Sequence, residues 1–230
     1  RLHLLPGHSV SKKIALAHGF RSEPGQEAYG TTLHKIAIGG VIDERSWKSV
    51  RRSLKSLVGV ELLPTISAYE GSDQCVPIKT SSNQNEEIPL YELETLLSPV
   101  LILLPGRPGV VVPIKRVFAD QLLGTAEQFS LLTPPEAILL KERVYYCTPR
   151  AASVLVPATL ILFYESSEGG GRKSIVAMGR ATESRILTLD QLNPELKRRE
   201  VLDAEGLKYI GVSKKKLATA FDNIMPFKTP

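Results

Sequence analysis

The chain has 230 residues, 43% hydrophobic, 23% charged and 6% aromatic, a balance that excludes a disordered or fibrous protein. The length suits one large domain or two small ones, and no apolar run reaches the roughly 20 residues of a membrane-spanning helix, so no membrane partner is expected. The net charge is +5, and residues 1–100 balance 11 basic against 11 acidic side chains, so the whole excess lies in the second part, where it is compatible with a polyanion partner.

In chain order, Ser9 is predicted to cap a first helix, with Val10, Ile14 and Ala17 on its apolar face and Gly19 closing it. The β-branched alternation of residues 31–38 predicts a strand. Asp43 caps a second helix in which Trp47, Val50, Leu54 and Leu57 recur at helical spacing, and Gly59 ends it. Arg45, Lys48, Arg51, Arg52 and Lys55 then form its solvent face. Residues 71–87 are polar and are expected to form a linker. After Pro89 a short helix is predicted with Leu90, Leu93, Leu96 and Leu97 on one face.

The runs 100–104 and 110–114 flank "PGRPG" and are expected as strands of one sheet. A helix follows at 116–123, then a strand at 143–147 and a helical turn near Thr148-Pro149. Residues 159–166 predict a buried strand and 174–187 another, bulged at Gly179. Between them "SEGGGRKS" predicts a flexible tip. Two short helices are expected between Leu189 and Ile210, and a last strand ends the chain. The predicted fold class is α+β: short helices between about five strands of a small β-barrel.

Two cysteines, Cys75 and Cys147, make no disulfide framework and no zinc site, which fits a reducing cytoplasm. All four histidines, His3, His8, His18 and His34, precede residue 35, so the second part has no histidine for a catalytic triad or a metal. No signal peptide is visible, and a first residue of Arg1 rather than Met suggests a fragment.

The phrase "HSVSKKIALAHGF" (residues 8–20) resembles the C-terminal end of a GNAT-type acetyltransferase. Gly19 and Phe20 match the family pattern and Ile14 stands for its leucine, while Ala15 stands where the family often has a proton-donating tyrosine. The glycine-rich acetyl-CoA turn is not in this sequence. The resemblance implies no cofactor within the chain, acetyl-CoA for a full-length protein, and an acetyltransferase domain upstream as partner.

Residues 110–227 resemble the PUA-like superfamily, in particular ASCH and EVE domains, through "VPIKRVFADQLLG" (112–124) and the pair "ILFYES…SIVAMGRA" (161–181). That resemblance implies a small β-barrel that binds RNA or modified bases in a cleft. After Gly124 the chain reads "GTAEQFSLL", without the lysine of the ASCH hydrolase signature. The expected organisation is an acetyltransferase-like part at 1–70, a linker at 71–87 and a PUA-like domain at 88–230.

The second part interleaves cations with rings, as a single-stranded nucleic acid requires: cations follow phosphate and ring faces stack bases. The candidate binding residues are Lys115, Arg143, Tyr145, Arg150, Tyr164, Arg172 and Lys173. Alternation puts Arg143 and Tyr145 on one face of their strand and Tyr146 on the other. The expected function is recognition of RNA or nucleotides. The alternatives are a base hydrolase or modifying enzyme using Lys115, Tyr164 or Glu165, and a non-catalytic regulatory or interaction module. Glu165 is otherwise expected at the surface, and Cys147 in the core.

Overall fold

Residues 2–22, 31–62, 68–80, 82–123, 141–191, 210 and 214–227 are described by the structure, a computed structural model. The fold is α+β, and the chain divides into two units, Arg1–Arg107 and Pro108–Pro230.

In the first unit, α1 (Ser9–Ala17) begins one residue earlier than the sequence suggests. His8 is the cap: its Nδ1 accepts from Ser11 N at 3.2 Å, and Ser11 Oγ accepts from His8 N at 3.3 Å. At the other end Gly19 N donates to Leu16 O and Phe20 N to Ala15 O, the paired bonds of a Schellman close. Gly19 has φ +84°, and a Cβ there would stand 2.3 Å from Thr95 O, so the position admits glycine for two reasons. The expected apolar face is corrected: Ala15 is buried, while Val10 and Ile14 are exposed.

Helix α2 (Glu44–Val58) matches its prediction at both ends. Asp43 Oδ1 accepts from Ser46 N at 2.9 Å, and Gly59 takes a left-handed conformation. Trp47 and Leu54 are buried, but Leu57 is exposed. They join Leu90, Leu93 and Leu97, contributed by α3 (Leu90–Leu96) and its C-cap, in one apolar cluster.

Three small sheets complete the unit. Strand β1 (Leu2–Leu4) pairs antiparallel with β2 (Leu33–Lys35), which is shorter than the predicted strand. Strand β3 (Gly40–Ile42) runs parallel to β7 (Val100–Ile102). Strands β4 (Glu61–Leu62), β5 (Cys75–Lys79) and β6 (Asn85–Pro89) form an antiparallel sheet.

Two expectations are overturned here. Residues 71–87 are not a linker, because β5 and most of β6 lie in them. Val76 and Ile88 face each other in register and, with Ile78, pack on the core. The strands on either side of "PGRPG" do not share a sheet either. Arg107 turns inward to Glu94 instead of marking a solvent turn, and the chain passes from one unit to the next directly after it.

The second unit is a five-stranded sheet in the order β8-β10-β11-β12-β9. Strand β8 (Gly109–Ile114) is parallel to β10 (Leu160–Glu165). Strands β11 (Ser174–Thr188), β12 (Lys215–Pro226) and β9 (Arg143–Cys147) follow antiparallel. The β11–β12 register shifts between Met178 and Arg180, around the glycine where the sequence predicts a bulge.

Helix α4 (Arg116–Leu123) lays Ala119, Leu122 and Leu123 on a core that includes Phe163 and Phe221, whose ring centroids are 5.0 Å apart. A 3-10 turn, Pro149–Ser153, follows β9 as expected. Of the helices expected between Leu189 and Ile210, a 3-10 turn at Leu189–Gln191 is described. The rest of that segment, like the "GTAEQFSLL" phrase, lies outside the described residues.

Candidate nucleotide-binding cavity

Consecutive strands β8 and β9 stand at opposite edges of the five-stranded sheet, and both line a cavity of about 750 Å³. Residues 110–114 contribute to it without a gap, and so do residues 144–148. A strand face would contribute every second residue. The cavity therefore runs along strand edges, where the backbone N–H and C=O groups have no further strand to pair with among the described residues. It is bridged at one point by Tyr145, whose hydroxyl donates to Pro113 O across 3.3 Å.

The volume falls within the range of small-molecule sites, and the lining has the usual composition of one: mostly apolar, with few polar groups. Phe118 of α4, Ala151 of the 3-10 turn and Leu155 supply apolar surface. Tyr145 supplies a ring. Burial, reinforced by Cys147 beside it, raises the Tyr145 hydroxyl above its ordinary pKa, so it stays a donor at neutral pH. Lys115 and Glu168 form an ion pair on the lining, joined at 2.5 Å.

Of the seven candidate binding residues, Lys115 and Tyr145 line this cavity and the other five do not. Arg143 is buried at the start of β9, donates to Leu122 O, and is lowered by burial to about 10. Arg150 is exposed on the 3-10 turn. Tyr164 lies on the face of β10 opposite Phe163 and Glu165. Arg172 is held by Glu165, and Lys173 is exposed at the root of the same loop.

The reading of β9 agrees with its sequence: Tyr145 and Cys147 pack against the main core, while Val144 and Tyr146 join a second cluster with Ala218 and Ala220. The trio Lys115, Tyr164 and Glu165 does not converge. Lys115 meets Glu168, Tyr164 faces the other way, and Glu165 is wholly buried rather than at the surface. Burial pushes the Glu165 carboxyl up. Arg172, through side-chain and backbone bonds and its charge, outweighs that with help from Arg116 and holds it below the ordinary value.

Part of the chain is similar to solved structures, among them crystal structures of the ASCH protein of Zymomonas mobilis and of its serine-to-alanine and tyrosine-to-phenylalanine mutants. Identity is 14–15%, over 52–54% of this chain and 71–75% of those chains, with TM-scores of 0.37–0.38. A likeness of that size carries nothing about the site. No family model matches the chain, and no curated protein does.

Two groups of buried charge escaped the sequence reading. In the second unit Arg180 and Asp222, Cα partners across β11 and β12, form a two-pronged pair, Nε to Oδ1 at 2.9 Å and NH2 to Oδ2 at 2.7 Å. In the first, Glu94 holds Arg107. Arg180 and Asp222 each interrupt an apolar run, "VAMGRA" and "TAFDNI", where a lone charge is the signal that would have found them, while Glu94 falls at the helical spacing of Leu90, Leu93 and Leu97 in "LYELETLL".

Cys147 offers a direct probe of the cavity it lines. Burial pushes its thiol up to about 11, so the reactive thiolate is about one part in a thousand at pH 8. Iodoacetamide at pH 8 is expected to alkylate exposed Cys75 and to spare Cys147 until the pH approaches 11, as read by intact mass and peptide mapping. Equal rates at pH 8 would show Cys147 open to solvent.

Proposed function

We propose that the second unit recognises RNA or nucleotides by taking one unstacked base into the cavity between β8 and β9. The observation that carries this is the lining itself. Two strand edges present backbone donors and acceptors at the rim of an apolar space, and Tyr145 and Phe118 supply ring surface within it. A nucleobase combines a planar apolar face with a polar edge, and base–ring stacking is worth about 1–3 kcal/mol. A lipid tail would not use the polar edges. A long strand of nucleic acid would need a track of cations, and among the described residues Lys115 is the lining's cation.

The attachment to a GNAT-type acetyltransferase belongs to the same proposal. Its support is the phrase at residues 8–20 and the order found there, a helix closed at Gly19-Phe20 and followed by β2. On this reading the base-binding unit presents a substrate to the acetyltransferase, and acetyl-CoA binds to residues of the longer protein.

The test is equilibrium binding of the four ribonucleosides and of short single-stranded RNA to the full chain. Tyr145→Leu keeps apolar volume and removes the ring, and should weaken binding by about 1–3 kcal/mol. Ala151→Phe fills the cavity and should abolish binding in a protein that still folds. No binding of any base, or binding that survives Ala151→Phe, overturns the proposal.

A further inference from the structure

The loop joining β10 to β11, residues 166–173, is fixed at its root and carries an anion over the cavity. At the root the buried Glu165 carboxylate accepts from Arg172 N at 2.8 Å, Nε at 2.9 Å and NH2 at 2.7 Å. Gly171 closes on the start of the loop so tightly that a Cβ would stand 1.8 Å from Ser166 O. Gly169 and Gly170 have φ of +72° and +79°, a bend that other residues rarely take. Arg116 NH1 donates to Gly170 O at 3.2 Å. Beside this bend Glu168 lines the cavity and rests on Lys115, both side chains more than half exposed.

An exposed ion pair of this kind adds little to a fold, so its place is not explained by stability. What it does is put a carboxylate on the cation at the edge of a ligand-sized cavity, where an anionic group of a ligand would go. We propose that Lys115 is the subsite for the phosphate of the ligand whose base enters the cavity, and that Glu168 is an internal carboxylate which that phosphate displaces. This rests on the base-binding reading and adds to it. A phosphate brings more acceptor oxygens than a carboxylate and, as a monoester, more charge, so it competes well for an ammonium. Displacement leaves the Glu165–Arg172 root intact and confines movement to the glycine-rich tip.

The test compares each ribonucleoside with its 5′-monophosphate and with a dinucleotide carrying one phosphodiester, titrated calorimetrically into the full chain, Lys115→Ala and Glu168→Gln. The 5′-monophosphate is expected to bind about tenfold more tightly than the nucleoside. Glu168→Gln should widen that ratio, and Lys115→Ala should bring it to one. A dinucleotide that shares the gain assigns the subsite to RNA, and one that does not assigns it to free nucleotides; either supports the subsite. Nucleosides that bind as well as their phosphates, or a phosphate preference that survives Lys115→Ala, overturn the subsite and leave base binding standing. Failure of nucleosides and nucleotides alike overturns the base-binding reading and the subsite with it.

Discussion

Asp222→Ala is expected to destabilise the protein by about 3–5 kcal/mol, because it takes a two-pronged carboxylate away from a guanidinium in the interior. Asp222 is fully buried and Arg180 is 1% exposed, so water cannot take over the lost partner without opening the sheet. Lys141 Nζ, 3.5 Å from Asp222 Oδ2, loses its anion as well. A loss of that size is a large part of the 5–15 kcal/mol that holds a domain folded. Asp222→Asn keeps an acceptor and drops the charge, and should cost less. Arg180→Met combined with Asp222→Leu removes both charges and should recover most of the loss, because the cost lies in a buried charge that has lost this carboxylate rather than in the pair. Urea unfolding followed by far-UV circular dichroism, with amide exchange along β11 and β12 to locate the effect, measures all three. Equal losses for the single and double variants would mean that the contact acts through packing and not through charge.

What the sequence made legible was local. Asp43 and Gly59 bracket α2 correctly because a cap needs a few neighbouring residues and nothing more. The helix at 116–123 and the bulge near Gly179 were legible for the same reason. Elements defined by distant partners were not. Strands β5 and β6 look like a linker because Val76, Ile78 and Ile88 are few and lie among polar residues and prolines, and only a core laid under one face brings them together. β7 and β8 look like a hairpin until β3 claims one and β10 the other.

The site divides along the same line. The mixture of rings and cations pointed to Lys115 and Tyr145, and both reach the cavity. Residue type could not reveal that Arg172 is already engaged by Glu165, or that Arg143 lies inside. The cavity exists because strands adjacent in sequence end up at opposite edges of the sheet, and no window of sequence contains that order.

The first unit has its own buried charge, and Glu94→Ala should also cost about 3–5 kcal/mol. Glu94 occupies the apolar face of α3 beside Leu90, Leu93 and Leu97, and is 0% exposed. Its Oε1 accepts from Ile102 N at 2.8 Å and from Arg107 NH1 at 2.6 Å, while Oε2 accepts from Arg107 NH2 at 3.2 Å. Arg107 NH1 also donates to Ile102 O at 2.7 Å, so one carboxylate and one guanidinium together hold both backbone groups at the end of β7. Alanine leaves the Ile102 N–H without that acceptor, at about 1–3 kcal/mol, in addition to taking the carboxylate from a buried guanidinium. Glu94→Gln retains an acceptor for Ile102 and sheds the charge, and should fall between wild type and alanine. Trp47, the sole tryptophan of the chain, sits in the same core and makes its fluorescence a reporter of this unit. The urea midpoint of that signal should fall in the order wild type, Glu94→Gln, Glu94→Ala. A midpoint unmoved by Glu94→Ala would mean that Arg107 reaches water at no cost, and that the turn at residues 105–108 is held by something other than this pair.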